Sequence, residues 1–199
     1  MSKEEIHYDS THISFLEKLW GDGYMSPGGK KEINRILKGL NLAKQKILDI
    51  GCGAGGITVS LVKDYGAEHV VGVDVEEDVV NVAIDRVVKN ELKNNIEILL
   101  IDKSNLPFED NYFDIVFSKD SFVHIPDKEK IFTQVFKVLK PGGFFVFSDW
   151  LISHDQKPSK EMEYYLKLED LGFGMGSPLL YLNALKKSGF VSIKKNNRN

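Results

Sequence analysis

KILDIGCGAGG, Lys46 to Gly56, is a short apolar run that breaks into four glycines among its last six residues. Gly51, Gly53 and Gly56 spell G-x-G-x-x-G, the spacing of nicotinamide dinucleotide sites in which the loop follows a strand and opens a helix. Glycines let the backbone turn sharply and approach a ligand closely, while the N–H groups at the helix start face it. The neighbours narrow the choice of ligand. Asp49 stands two residues before Gly51, where a carboxylate repels a pyrophosphate but can hold an amino group.

Outward from this loop, short β-branched or apolar runs alternate with amphipathic stretches. The runs are Lys46–Ile50, His69–Val73, Ile96–Ile101, Phe113–Phe117, Phe144–Phe147 and Phe190–Lys194. Helical patterns lie between them at Ile57–Tyr65, Glu77–Asn90, Asp127–Leu139, Lys160–Leu171 and Leu179–Ser188. Strict alternation of nearly continuous hydrophobic strands with helices predicts parallel βαβ units, hence an α/β domain with a doubly wound, mostly parallel sheet. Two further helical patterns, Thr11–Leu19 and Lys30–Leu40, flank the turn-rich GDGYMSPGG and are expected to cap the carboxyl edge of the sheet.

Two more acids end strands. Asp74 closes the second run, 23 positions after Gly51, where it can accept both ribose hydroxyls of a nucleoside; Asp102 closes the third, where an acceptor can meet the exocyclic amine of adenine. The plainer reading of Asp49, Asp74 and Asp102 is that aspartate favours the turns at strand ends.

Composition sets limits. The chain has 199 residues, 26 Lys plus Arg against 29 Asp plus Glu, and a net charge of -3, so it carries no global basic field of the kind that attracts nucleic acid. A single cysteine, Cys52, excludes an internal disulfide and fits a reducing compartment. No apolar run reaches the ~20 residues a membrane helix needs, and MSKEEIHYDS lacks the apolar core of a signal peptide, so the expectation is a cytoplasmic protein without membrane partners. Five scattered histidines and one cysteine form no metal-ligand spacing, and no metal is expected.

The glycine loop and the strand-end acids, taken with LPFEDNYFDIVFS (Leu106–Ser118) and VLKPGG (Val138–Gly143), resemble the class I S-adenosylmethionine-dependent methyltransferases. The resemblance implies a Rossmann-like core over 43–199, an N-terminal helical cap over 1–42, and a single domain. It implies S-adenosylmethionine as cofactor and S-adenosylhomocysteine as product. The cofactor would be lined by Asp49, Gly51, Gly53, Asp74, Val75, Asp102, Lys103 and Ser118.

HYDSTHISFLEKLWGDGYMSPGG (His7–Gly29), SKDSFVHIPD (Ser118–Asp127) and SDW (Ser148–Trp150) resemble, more narrowly, the phosphoethanolamine N-methyltransferases and their bacterial relatives. In that group a tyrosine before the cap helix and a histidine after strand four form a catalytic pair, an aspartate contacts the acceptor, and the cap loop closes over the cofactor. Tyr8, His124, Asp120 and Ser26 hold the matching places. If Asp120–His124 is helical, the two side chains share one face and the carboxylate favours a protonated imidazole. An aliphatic amine has a pKa of ~10 and arrives as an ammonium that cannot attack a methyl group, whereas an imidazole, at ~6.5, can take its proton.

Two departures qualify the expected acceptor. The family's phosphate-binding arginine aligns with Glu169 and its tyrosines with Leu171 and Trp150, so the acceptor is expected to be an unphosphorylated small-molecule amine, with Trp150, Tyr164 and Tyr165 offering faces to a cation. The family's last strand has no counterpart after VSIKK. Either the chain is a fragment, or a homodimer covers the open edge by strand pairing or swapping. Alternatives within the fold are C- or O-methylation of a quinone or lipid-like acceptor, and outside it a cofactor-binding protein that does not catalyse.

Overall fold

Residues of Lys46–Ile50 point alternately to two faces of one sheet, and both faces are covered, so almost the whole run is buried. In the computed structural model, which describes residues 8–102, 105–155, 158–169 and 174–196, this strand is β1. Four more strands follow: β2 (His69–Asp74), β3 (Ile96–Leu100), β4 (Phe113–Lys119) and β5 (Leu139–Ser148). Their order is β3-β2-β1-β4-β5 and every pairing is parallel. The chain therefore reverses its direction of growth beside β1, between β1 and β4, which is where open α/β sheets leave a crevice beyond their carboxyl ends.

The described residues form seven helices: α1 (Ser10–Trp20), α2 (Gly29–Ile36), α3 (Gly56–Lys63), α4 (Glu77–Lys89), α5 (Lys128–Val138), α6 (Lys160–Glu169) and α7 (Pro178–Lys187), with a 3-10 turn at Phe122–His124. Side-chain alternation sorts them into layers. Leu48, Ile50, Val71, Val73 and Val116 face a core shared with α5 and α7, whereas Ile47, Val70, Ile115 and Phe117 face one shared with α2, α3 and α4. In the first core Phe122, Phe132, Phe145 and Phe147 pack largely edge to face, with ring centroids 5.3 to 5.6 Å from Phe122. Caps fix several helix starts: Asp9 accepts from the His12 N–H, Asp127 from Lys130, and Ser177 from Leu179 and Leu180.

Three expectations need correction. The run Phe190–Lys194 is not a strand, and the described sheet has five strands. Phe190 docks its ring on Phe136 and Phe145, Val191 stands in solvent, and Ser192 takes a left-handed φ of 55° that no strand tolerates. Asp120 does not begin a helix either: its φ of 55° excludes helical geometry, and the following turn spans only Phe122–His124. The expected helical face shared by Asp120 and His124 is therefore not formed. Lastly, α2 does not sit on the carboxyl edge but inserts Ile33 and Leu37 into the core on one sheet face. β5 also begins earlier than its apolar run, at Leu139, and holds Pro141 where, among the described residues, it pairs with β4 alone.

Phe132 is fully buried amid the aromatic cluster, so Phe132→Ala is expected to lower unfolding stability by about 3–5 kcal/mol in urea titration; a loss below about 1 kcal/mol would contradict this packing.

Candidate functional site

At the carboxyl end of β1 the chain turns through Gly51, Gly53 and Gly55, each with positive φ (69°, 55° and 80°). Gly51 admits nothing larger: an added Cβ would lie 2.0 Å from Ser121 Oγ, which packs onto it from the end of β4. The N–H groups of Gly51 and Cys52 both donate to the Val73 carbonyl, at 2.9 and 3.0 Å, which ties the loop's start to β2. The Gly53 N–H donates to Asp74 Oδ2 at 3.0 Å and ties its middle to the same strand.

Asp49 is 1% exposed and accepts a 2.7 Å hydrogen bond from Thr58 Oγ1. Burial pushes its carboxyl up to about 7, against the opposing pull of the Thr58 hydroxyl, and the nearby Asp74 charge adds to the rise. Asp74 is likewise pushed up by burial, while the N–H groups of Gly53, Val75 and Glu76 pull the other way. With Oδ1 accepting from Val75 and Glu76 and Oδ2 from Gly53, about one of a carboxylate's roughly four acceptor positions stays open. Asp102 lies just past β3, exposed, where the Ile101 N–H donates to the Asp74 carbonyl at 2.9 Å. Lys103 lies outside the described residues.

On the other side, β4 ends in a lysine that is buried. Lys119 is 6% exposed, donates to Ser26 Oγ at 2.7 Å and pairs with the Asp120 carboxylate. Ser26, Lys119 and Asp120 thus meet, and the Asp120 carboxylate is held by this ammonium. The Ser118 hydroxyl donates a hydrogen bond to the Ile50 carbonyl at 2.8 Å, bracing β1 against β4. His124 ends the 3-10 turn, exposed, while Tyr8 packs against the Ile13, Ala54 and Val79 cluster with its ring 5.0 Å from that of His12. Trp150 and Tyr164 are more than half exposed, and the side chains of Tyr165 and Glu169, with the whole of Leu171, lie outside the description.

The turn carrying His124 is fixed from below by side chains the sequence reading passed over. Lys128, 2% exposed, donates to the carbonyls of Phe122 (2.6 Å), Ile125 and Gly174 (2.8 Å), and burial lowers its ammonium to about 8. Asp149 accepts from Val123 N (3.2 Å), Trp150 N (3.0 Å) and Tyr181 Oη (2.5 Å), and burial raises its carboxyl to about 6. Arg86 is a third residue missed, although it sits seven residues after buried Val79 and three after buried Ala83, on the buried stripe of α4. Lys119 also carried a signal: a charge two positions past the apolar run Ile115–Phe117, at the carboxyl end of the strand.

Among the described residues no cluster of side chains fits a metal ion, and no described helix is long and apolar enough to cross a membrane. A surface groove of about 690 Å³ runs along α5, lined by residues such as Phe108, Lys130 and Gln134, and shares none of its lining with the glycine loop.

Residues 42–175 match a family model described as a methyltransferase domain. The chain is 35% identical over 191 residues to phosphoethanolamine N-methyltransferase 1 of Zea mays, covering 96% of this chain and 37% of that protein. It superposes with a TM-score of 0.86 on Haemonchus contortus phosphoethanolamine N-methyltransferase 2 in complex with S-adenosylmethionine, at 32% identity, covering 94% of this chain and 43% of that one. The same Haemonchus enzyme in complex with phosphomonomethylethanolamine and S-adenosylhomocysteine matches equally well. The chain thus spans less than half the length of these relatives.

The raised Asp49 carboxyl has a consequence for stability. Its folded value of about 7 exceeds the ordinary value of 3.8, so the folded state keeps a proton that the unfolded chain has lost, and this residue's contribution falls as pH rises from about 4 to about 7. Asp49→Asn is therefore expected to stabilise the ligand-free protein relative to the parent, little at pH 4 and by on the order of 2–4 kcal/mol at pH 8, by urea unfolding. A pH-independent difference would contradict the burial of an uncompensated carboxylate.

Proposed function

The chain belongs to the methyltransferase-domain family, and from that membership we propose that it transfers a methyl group from S-adenosylmethionine to the nitrogen of a small-molecule amine. The carrying observation is the charge pattern around the glycine loop. The carboxyls of buried Asp49 and half-buried Asp74 lie on the β1–β2 side and the Lys119 ammonium lies buried on the β4 side. Such a pattern fits the zwitterionic amino-acid end of the cofactor: its ammonium beside Asp49, its carboxylate toward Lys119 and Ser26. Asp74 would take a ribose hydroxyl through its open acceptor position, with Val75 beside it, and Asp102 would take the adenine amine. Gly51 and Gly53 leave the backbone bare for close approach.

When bound, the cofactor supplies a methyl carbon on a positively charged sulfur. The protein's own work is to present a neutral nitrogen to it. An ammonium has no lone pair to donate, and His124, at the rim beyond β4, is the residue we assign to take its proton. Tyr8, on the cap, would orient the imidazole or close the cap over it. Asp120, held by Lys119, would meet the acceptor's ammonium rather than the histidine. Most of the rate would then come from alignment and from excluding water beneath the cap. A cytoplasmic setting, in which buried Cys52 stays a thiol, belongs to the same reading.

The relatives' names point to phosphoethanolamine, whereas Glu169 in the place of a phosphate-binding arginine speaks for an unphosphorylated amine. A product assay with S-adenosylmethionine and a panel of ethanolamine, phosphoethanolamine and their monomethyl forms separates the two. We expect S-adenosylhomocysteine to form with at least one unphosphorylated amine. Binding of the cofactor without turnover on any amine would favour a non-catalytic binder.

On whichever amine turns over, His124→Ala is expected to keep the affinity for S-adenosylhomocysteine within about twofold while turnover falls by about 10²–10⁴. Unchanged turnover would remove His124 from the mechanism.

A further inference from the structure

The cap meets the glycine loop through a small apolar cluster, in which Tyr8 and Met25 join Ile13, Ala54 and Val79. In α1 the one buried side chain is Ile13, which touches Ala54 and Val79, while Phe15 and Leu19 face outward. Polar contacts supply the rest. The Gly56 N–H, the first of α3, donates to the Gly23 carbonyl at 3.1 Å, and the two glycines approach so closely that a Cβ on Gly23 would lie 2.6 Å from Gly56 Cα. The Gly23 N–H in turn donates to Glu17 Oε1 at 2.8 Å.

One guanidinium holds this junction together. Arg86 projects from α4, whose Val79, Val80, Ala83 and Val87 are buried against the core, so it stands on a fixed post. Its Nε donates to the Ala54 carbonyl in the glycine loop at 2.7 Å. Its two terminal nitrogens pair with Glu17 on α1 and, at 2.9 Å, with Asp22 in the turn after it. Its plane also lies against Gly23, where an added Cβ would come within 3.1 Å of both Cζ and Nε. The Arg86 side chain is 13% exposed and that of Glu17 21%, so this pair is screened far less than a surface ion pair; Asp22, 84% exposed, adds little. Three segments converge on one fork-shaped donor set, a geometry that a lysine cannot reproduce.

We propose that Arg86 is a positioning residue that latches the cap onto the glycine loop and so sets how long the nucleoside ligand stays bound. The residence-time half rests on the cofactor site proposed above. Ala54 follows Gly53, one of the glycines proposed to approach the cofactor, and a ligand lying between the loop and the cap leaves only when the cap lifts. Lifting the cap separates the guanidinium from Glu17 and Asp22 but leaves it on α4. Arg86 therefore acts on the release step and touches neither reacting atom.

Two measurements on the full chain test this. In ligand-free protein, hydrogen–deuterium exchange of Arg86→Met should be faster over residues 10–23 and at Gly56, with β1 and β4 protected as in the parent; Arg86→Lys should fall between the two. For S-adenosylhomocysteine, the dissociation rate should rise ~10-fold or more in Arg86→Met, about threefold in Arg86→Lys, with the association rate nearly unchanged. In turnover, KM for the cofactor should rise about tenfold while kcat changes less than about threefold. Unchanged cap exchange, or protection lost equally across the sheet, would overturn the latch. Unchanged dissociation from a parent that binds would overturn its control of residence time. A parent that binds no S-adenosylhomocysteine would overturn the cofactor reading and the residence-time half with it, while the exchange pattern would still decide the latch.

Discussion

Between Gly51 and Gly56 the backbone is gripped from three directions, and the rest of the molecule is arranged to make that grip possible. Val73 and Asp74 hold the loop from β2, Ser121 presses on it from the end of β4, and Gly23 and Arg86 close on it from the cap and α4. A side chain would collide with Ser121 at Gly51 and with the Gly23 backbone at Gly56. The glycines are thus required as much by neighbouring protein as by any ligand. This also explains why the first N–H of α3 is spent on the Gly23 carbonyl rather than left for an anion.

Charge follows the same geometry. Because β1 sits between β2 and β4, its carboxyl end borders two strand ends of opposite character. Toward β2 lie buried Asp49 and half-buried Asp74, both raised by desolvation; toward β4 lies Lys119, sharing Ser26 and Asp120. Desolvated charge of this kind is costly unless matched, and Asp49 is the least well matched of these groups. Asp120 and Ser26 partner the ammonium, whereas Asp49 has a single hydroxyl donor, from Thr58. A ligand bringing an ammonium to that side would relieve the imbalance, whereas a pyrophosphate would worsen it.

Much of this was legible in the sequence, for physical reasons that can be named. β1 and α4 were readable to within a residue or so, because a doubly buried strand is a continuous apolar run and an amphipathic helix repeats its buried positions. Asp49, Gly51, Gly53 and Asp74 are fixed in space by position relative to strand ends, which sequence spacing encodes. What sequence spacing does not encode is side-chain partnership. Asp120 read as the first residue of a helix until its left-handed φ and its pairing with Lys119 removed it from the histidine's face. Phe190–Lys194 has the composition of a strand, yet Ser192 breaks its extension and Phe190 is captured by two aromatic neighbours. The buried Lys128, Asp149 and Tyr181 group joins residues up to 53 positions apart, and no local pattern announces it.

The central claim is that Asp49 is a buried carboxyl awaiting a cationic partner. Calorimetric titration with S-adenosylhomocysteine, repeated in buffers of differing ionisation enthalpy, counts the protons exchanged on binding. With the free carboxyl at about 7, an arriving ammonium should expel about one proton at pH 6 and almost none at pH 8.5, with affinity rising as pH approaches 7 and levelling above it. Binding that releases no proton at pH 6, or an Asp49→Asn variant that releases as many as the parent, would contradict the account.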